Sequence, residues 1–258
     1  MKSDRSLLVV CATLAGGYVL LLLAMLLAEA SYTHPDCVLE VLGRSAIQRS
    51  IVLTVVASSV ATVAALVVGI PVAYLMARIS FRGRWLVELV LDLPNILPPL
   101  VLGLCLLILF KTSLLEPLSR YVIYQLPAVF IAQFVVAMAA AVPVLRAAFD
   151  QTSVEEEQTA LVLGGTRWQA FWHVALPQVR AGVLTAAALA WAKCFGCFGP
   201  LLVFAGATRN KTEVLATTIY LELSAGDLEA AVAVSLVMVV VSAIVLTLAR
   251  WWGTRKQG

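Results

Sequence analysis

The side chains able to do chemistry in this sequence are few, and their spacing excludes most catalysis. There are two histidines, His34 and His173. Neither belongs to an H-E-x-x-H pair that sets two ligands on one helical face, and neither a G-x-S-x-G nucleophile elbow nor a G-x-x-x-x-G-K phosphate loop occurs. No metal or nucleotide site is therefore expected here, and ATP hydrolysis has no recognisable place on the chain. Of five cysteines, four lie inside apolar runs, and the C-x-x-C pair Cys194 and Cys197 reads as small buried hydrophobes rather than as a redox or metal pair. The informative polar residues are those inside apolar segments, where a charge is costly and marks a functional candidate. Lys193 sits about halfway along such a run, beside Gly196, Gly199 and Pro200. A cation there can offset the desolvation of an anion, or snorkel, or pair with an acidic neighbour. Asp92 and Asn95 flank Pro94 in another run. They can line a cavity with carbonyls freed by proline, or mark a structural kink.

The elements that must position these residues follow from composition. Of 258 residues, 62% are hydrophobic and 13% charged, with a mean hydropathy of +0.97, far above a soluble domain. A bilayer accounts for this, since a helix needs about 20 apolar residues to cross it. A spanning barrel would alternate apolar and polar residues, whereas 61–77 is apolar on every face. The fold class expected is an all-α membrane protein with about six spans, at 7–28, 51–77, 86–110, 126–148, 182–204 and 228–249, within one membrane domain covering 1–258. Lys2 and Arg5 ahead of an apolar run ending at Ala28-Glu29-Ala30 resemble a signal peptide, but about 22 apolar residues exceed the usual 7 to 15, which favours an uncleaved anchor. With both termini cytoplasmic, eleven Lys and Arg fall on the inner side and six on the outer, as the positive-inside rule requires. A formal charge of +3 gives no reason to invoke nucleic acid.

The longest inner connection, 150–181, is written in helix signals. Ser153 with Glu156 reads as a capping box, with Glu155, Glu156 and Glu157 supplying negative charge to a first turn. Gly164-Gly165 ends that helix. Thr166 with Gln169 opens a second one, which Pro177 interrupts or limits. Trp168, Phe171, Trp172 and Ala175 give the second helix one apolar face, to be covered by the lipid interface, by neighbouring spans or by a partner.

This connection resembles the cytoplasmic motif of permease subunits of binding-protein-dependent ABC importers. That motif runs E-A-A, three residues, G, nine residues, I, one residue, L-P. Here the register is Gln158-Thr159-Ala160, Gly164, Val174 and Leu176-Pro177; Gln158, Thr159 and Val174 replace the usual Glu, Ala and Ile. The resemblance extends from about Arg49 to Trp251 and is nearest the molybdate, tungstate and sulfate branch. It is carried by Gly69-Ile70-Pro71 with Ala73-Tyr74, by Leu97-Pro98-Pro99 with Val101-Leu102-Gly103, by Phe195-Gly196-Cys197-Phe198-Gly199, and by Gly226-Asp227-Leu228-Glu229-Ala230-Ala231. It implies a type I ABC importer permease fold in the inner membrane, with the loop as a coupling helix seated on a cytoplasmic ATPase dimer that binds ATP and Mg. An external substrate-binding protein, a second permease copy forming a homodimer, and an oxyanion cargo are implied with it. Importers of iron, thiamine and polyamines share the motif and remain alternative substrate readings. A secondary transporter would show paired broken helices in matching halves, and no such symmetry is visible.

Overall fold

The computed structural model describes residues 2–32 and 35–254. His34, Arg255 and Lys256 lie outside the described residues, as do the side chains of Lys2, Arg5, Cys37 and Arg250. Among the described residues every regular element is helical. Helices α1 (Lys2–Tyr32) and α2 (Pro35–Gly43) lead into α3 (Ser45–Arg78), which is followed by α4 (Arg84–Ile96), α5 (Pro99–Lys111), the short α6 (Glu116–Val122) and α7 (Leu126–Asp150). The connection after α7 holds α8 (Val154–Val162), α9 (Arg167–Ala170), a π-helical turn (Phe171–Ala175) and α10 (Leu176–Gln178). Helix α11 (Arg180–Phe195), a second π-helical turn (Leu201–Ala205), α12 (Leu215–Ala225) and α13 (Leu228–Thr254) complete the chain.

Four of these helices, α1, α3, α7 and α13, are long and apolar enough to cross a membrane, and two bent pairs bring the number to as many as six. The apolar run 86–110, expected as one span broken or kinked by proline, is α4 and α5 inclined at 116°, with the break beyond Pro94. The cause is local. Leu97 and Pro98 each precede a proline, which disfavours helical backbone, and both are extended, with ψ of 140° and 136°. The run 182–204 also divides, because α11 stops at Phe195 and residues 196–198 leave the helix before Gly199 and Pro200 lead into the second π-helical turn.

The core forms where α3, α7 and α11 pack along one another. Small residues line the contacts: Ala57, Ala61 and Ala65 on α3, Ala137 and Ala141 on α7, and Ala186, Ala190 and Cys194 on α11, all buried at four- or eight-residue spacing. Spacing of this kind lets helix backbones approach closely in lipid, where packing rather than hydrophobicity drives association. Gln133 and Cys194 tie α7 to α11 by exchanging bonds: Gln133 Nε2 donates to the Cys194 carbonyl and Cys194 Sγ donates to the Gln133 carbonyl, each at 3.2 Å. Both thiols of the C-x-x-C pair are buried, as packing residues would be.

The two divided runs meet at their breaks. A Cβ on Gly199 would lie 2.6 Å from Pro99 Cβ, and one on Gly103 would lie 2.9 Å from Pro200 Cα, so both positions require glycine for this approach. Irregular backbone at membrane depth is tolerated where protein covers it, and here each break covers the other. Asn95 serves a related need: its Nδ2 donates at 2.6 Å to the carbonyl of Ala139. That carbonyl stands four residues before Pro143, which has no N–H to offer it. Asn95→Leu is therefore expected to leave a carbonyl without its donor and to lower stability by about 1–3 kcal/mol, read as an earlier unfolding midpoint in detergent. An unchanged midpoint would show that Ala139 does not need the amide.

Candidate docking site in the connection 150–181

Helix α8 is closed at both ends by local chemistry. At its start, Ser153 Oγ accepts the Glu155 N–H at 3.2 Å. The expected capping box with Glu156 does not form, because the Glu156 carboxylate is taken by the Gln178 amide of α10. At its end, the Gly165 N–H donates to the Ala160 carbonyl and the Gly164 N–H to that of Leu161, both at 3.0 Å. This is a Schellman turn, with Gly164 at φ +91° in the left-handed region. A Cβ on Gly165 would lie 2.7 Å from the Ala160 oxygen. The two glycines thus do separate work, one conformational and one steric.

The second helix opens as the spacing predicts: Thr166 Oγ1 accepts the Gln169 N–H at 3.2 Å while Gln169 Oε1 accepts the Thr166 N–H at 2.9 Å. Pro177 does not interrupt it. The chain widens into the π-helical turn, closed by the Leu176 N–H on the Phe171 carbonyl, and continues through Pro177 to a 71° bend before α11. The aromatic face divides in two. Phe171 and Ala175 are buried in the core cluster that joins α3, α7 and α11, whereas Trp168 and Trp172 remain exposed. With Leu66, Ile70, Tyr74 and Leu176 these tryptophans border an apolar groove of about 660 Å³.

The strongest attachment of this hairpin to the bundle is a charge pair with no motif signature. Arg78, the last residue of α3, sets its Nε 2.9 Å and its Nη2 2.8 Å from Glu157 Oε1. The pair is nearly dry, with side-chain exposures of 10% and 8%. The rest of the guanidinium is used on the end of α7: Nη1 donates to the Phe149 carbonyl at 3.0 Å and Nη2 to Thr152 Oγ1 at 2.6 Å. Tyr74, one turn earlier on α3, donates its hydroxyl to Glu157 Oε2 at 2.8 Å. Its ring makes edge contacts with Phe149 at 5.5 Å and Phe171 at 4.8 Å. The end of α7, α8 and the π-helical turn therefore converge on two side chains of α3. Because the buried fork is fully used, loss of one partner is expected to cost about 3–5 kcal/mol rather than the fraction of a kcal/mol typical of a surface pair.

With Glu157 turned inward, the rest of α8 is set facing out. Gln158 and Thr159 are exposed, and Ala160 is half-buried on the side of its own bundle. Val162 and Leu163 are 86% and 83% exposed, an apolar tip in the stretch that motif spacing leaves unspecified. A periodicity count on α8 alone would have found them: with Glu157 and Ala160 on one face, Val162 falls on the other. Val174 and Leu176 are half-buried and Pro177 is exposed.

The three polar candidates inside the apolar runs do not form one site. Lys193 is exposed on α11 and has neither ion pair nor hydrogen bond among the described residues. Asp92 lines a cavity of about 220 Å³ with Glu88, Arg146 and Asp150, and Lys193 is not part of it. Asn95 is held by Ala139. Among the described residues, no cluster of His, Cys, Asp and Glu is arranged to hold a metal ion.

A helical bundle with divided spans and a hairpin anchored at one end is the architecture of a multi-spanning membrane protein. The chain belongs to the family of binding-protein-dependent transport system inner membrane components, whose model matches residues 69–257. It is 34% identical over 206 residues to the molybdenum transport system permease protein ModB of Mycobacterium tuberculosis, covering 77% of each chain. It is 30% identical to the sulfate transport system permease protein CysT of Escherichia coli, across 100% of this chain and 95% of that one. Its fold matches that of a chain from a bacterial ABC transporter that imports the acidic polysaccharide alginate, with a TM-score of 0.76 at 18% identity over 95% of this chain and 93% of the other.

Gly164→Ala tests the turn. A side chain at φ +91° is expected to cost about 1–2 kcal/mol, and hydrogen exchange at the Gly164 and Gly165 amides should accelerate while exchange within α3 and α7 stays slow. Unchanged protection at both amides would contradict the Schellman assignment.

Proposed function

We propose that this permease carries an oxyanion, molybdate foremost and tungstate or sulfate as close alternatives, delivered by an external binding protein and driven by a cytoplasmic ATPase dimer that binds the ATP and Mg. Two copies of the chain pair around a central path, with both termini in the cytoplasm and α8 on the inner face. The observation that carries the docking part is the exposed tip of α8, held outward by the Glu157 anchor. Gln158, Thr159, Val162 and Leu163 are placed to enter a groove of a partner, while Ala160 and Gly164 form the turn behind them. Val174, Leu176 and Pro177 belong to the return helix that carries the tip back to α11. The neutral Gln158 meets its partner with a hydrogen bond where a glutamate would bring a charge.

For the cargo, the support is the molybdenum and sulfate relatives together with Lys193. An exposed, unpaired cation on a spanning helix is expensive toward lipid and useful toward an anion. Lys193 is assigned to the path wall between the two copies, with Asp92 and Asn95 near the bend of α4 and α5 as supporting positions rather than ligands.

Two experiments test the reading. Val162→Asp with Leu163→Asp should abolish co-purification of the cognate ATPase without changing the amount of inserted permease; retention of the ATPase would refute docking through this tip. Lys193→Ala should lower oxyanion uptake by about tenfold or more, roughly the 1.4 kcal/mol of one charge-assisted contact, with the ATPase still bound. Uptake at the wild-type rate would remove Lys193 from the path. The cognate binding protein, titrated with molybdate, tungstate, sulfate and iron, identifies the cargo class directly.

A further inference from the structure

Glu157 lies one residue before the docking motif, yet it faces away from any partner and into the bundle. Its two oxygens take the Arg78 fork and the Tyr74 hydroxyl, and Arg78 in turn holds the Phe149 carbonyl and Thr152 at the end of α7. We propose that Tyr74, Arg78 and Glu157 form a transmission joint, by which displacement of α8 reaches α3 and α7 as one rigid body. The proposal rests on the docking reading above and adds to it the route that force takes out of the loop.

Three features favour a joint over a simple staple. First, Val162 and Leu163 are 86% and 83% exposed, so a push on them is resisted mainly from the inward side, where Glu157 is the buried residue of the helix. Second, the Arg78 donors form a planar fork, which fixes orientation as well as distance; an ammonium in its place would give a point charge free to pivot. Third, α3 extends unbroken from Ser45 to Arg78, and α7 runs from Leu126 to Asp150. Both pack against α11 in the core. Motion imposed at their joined ends is therefore delivered along the length of the bundle, including the region where the divided runs meet. The tie between Glu156 and Gln178 acts elsewhere, closing the hairpin on itself without reaching α3.

These are positioning residues, so the test must separate coupling from stability. The full importer, with its ATPase and binding protein, is reconstituted in liposomes carrying Arg78→Lys, Glu157→Gln or Tyr74→Phe. ATPase retained, ATP hydrolysed and oxyanion accumulated are measured together. The joint predicts ATPase retention close to wild type and uptake per ATP reduced about tenfold for Arg78→Lys and Glu157→Gln, with a smaller loss for Tyr74→Phe, in line with coupling energies between contacting residues. The double substitution Arg78→Met with Glu157→Leu replaces the buried pair by apolar side chains, an exchange that commonly preserves stability; Arg82 and Arg84 still mark the inner side of that connection. Its thermal stability should approach wild type while uptake per ATP stays low. Wild-type uptake per ATP in the double variant, or in Arg78→Lys and Glu157→Gln, overturns the joint alone. Failure of the wild-type chain to retain the ATPase overturns the docking reading and the joint with it.

Discussion

The buried pair between Arg78 and Glu157 is the constraint on which the working end of this molecule depends. Two charges taken from water must be matched in every remaining donor and acceptor, or they cost more than they return. Here the matching groups are the Tyr74 hydroxyl on α3 and, at the end of α7, the Phe149 carbonyl and the Thr152 hydroxyl. Satisfying one ion pair thereby fixes the angle of the hairpin. The outward presentation of Val162 and Leu163 follows from that angle and needs no stabilisation of its own.

The second constraint lies deeper in the bundle, where backbone leaves the helix at membrane depth. Prolines 98 and 99 divide one apolar run, and the chain between Phe195 and Leu201 divides another. Neither break can face lipid with its polar groups unmet. Gly199 against Pro99 and Gly103 against Pro200 bring the breaks together, and Asn95 supplies the donor that Pro143 removes.

What was legible in the sequence was what is decided locally. The Thr166 and Gln169 cap and the glycine turn each depend on residues within a few positions of one another, and they appear where the spacing placed them. The all-helical membrane class followed from hydropathy. Partners chosen across the fold were not legible. Glu156, expected to cap its own helix, is captured by Gln178, 22 residues away. In the sequence Glu157 is one of three first-turn acids and Arg78 one of the eleven basic residues assigned to the inner side; their pairing spans 79 residues. A weak signal existed, since Tyr74 and Arg78 lie one turn apart at the end of a span and can address a common group. Proline divides the apolar run 86–110 as its sequence suggests, but at Leu97-Pro98-Pro99 rather than at Pro94, which stays inside α4.

The central claim is that α8 and the adjoining ends of α3 and α7 move as one body. A distance measurement between spin labels at Glu155 on α8 and Val67 on the exposed face of α3, in importers with a single labelled copy, tests it most directly. The account predicts one narrow distribution, the same in the nucleotide-free and ATP-trapped complexes, even as labels on the two permease copies move relative to each other. A shift of several ångströms within the labelled copy between those states would contradict it.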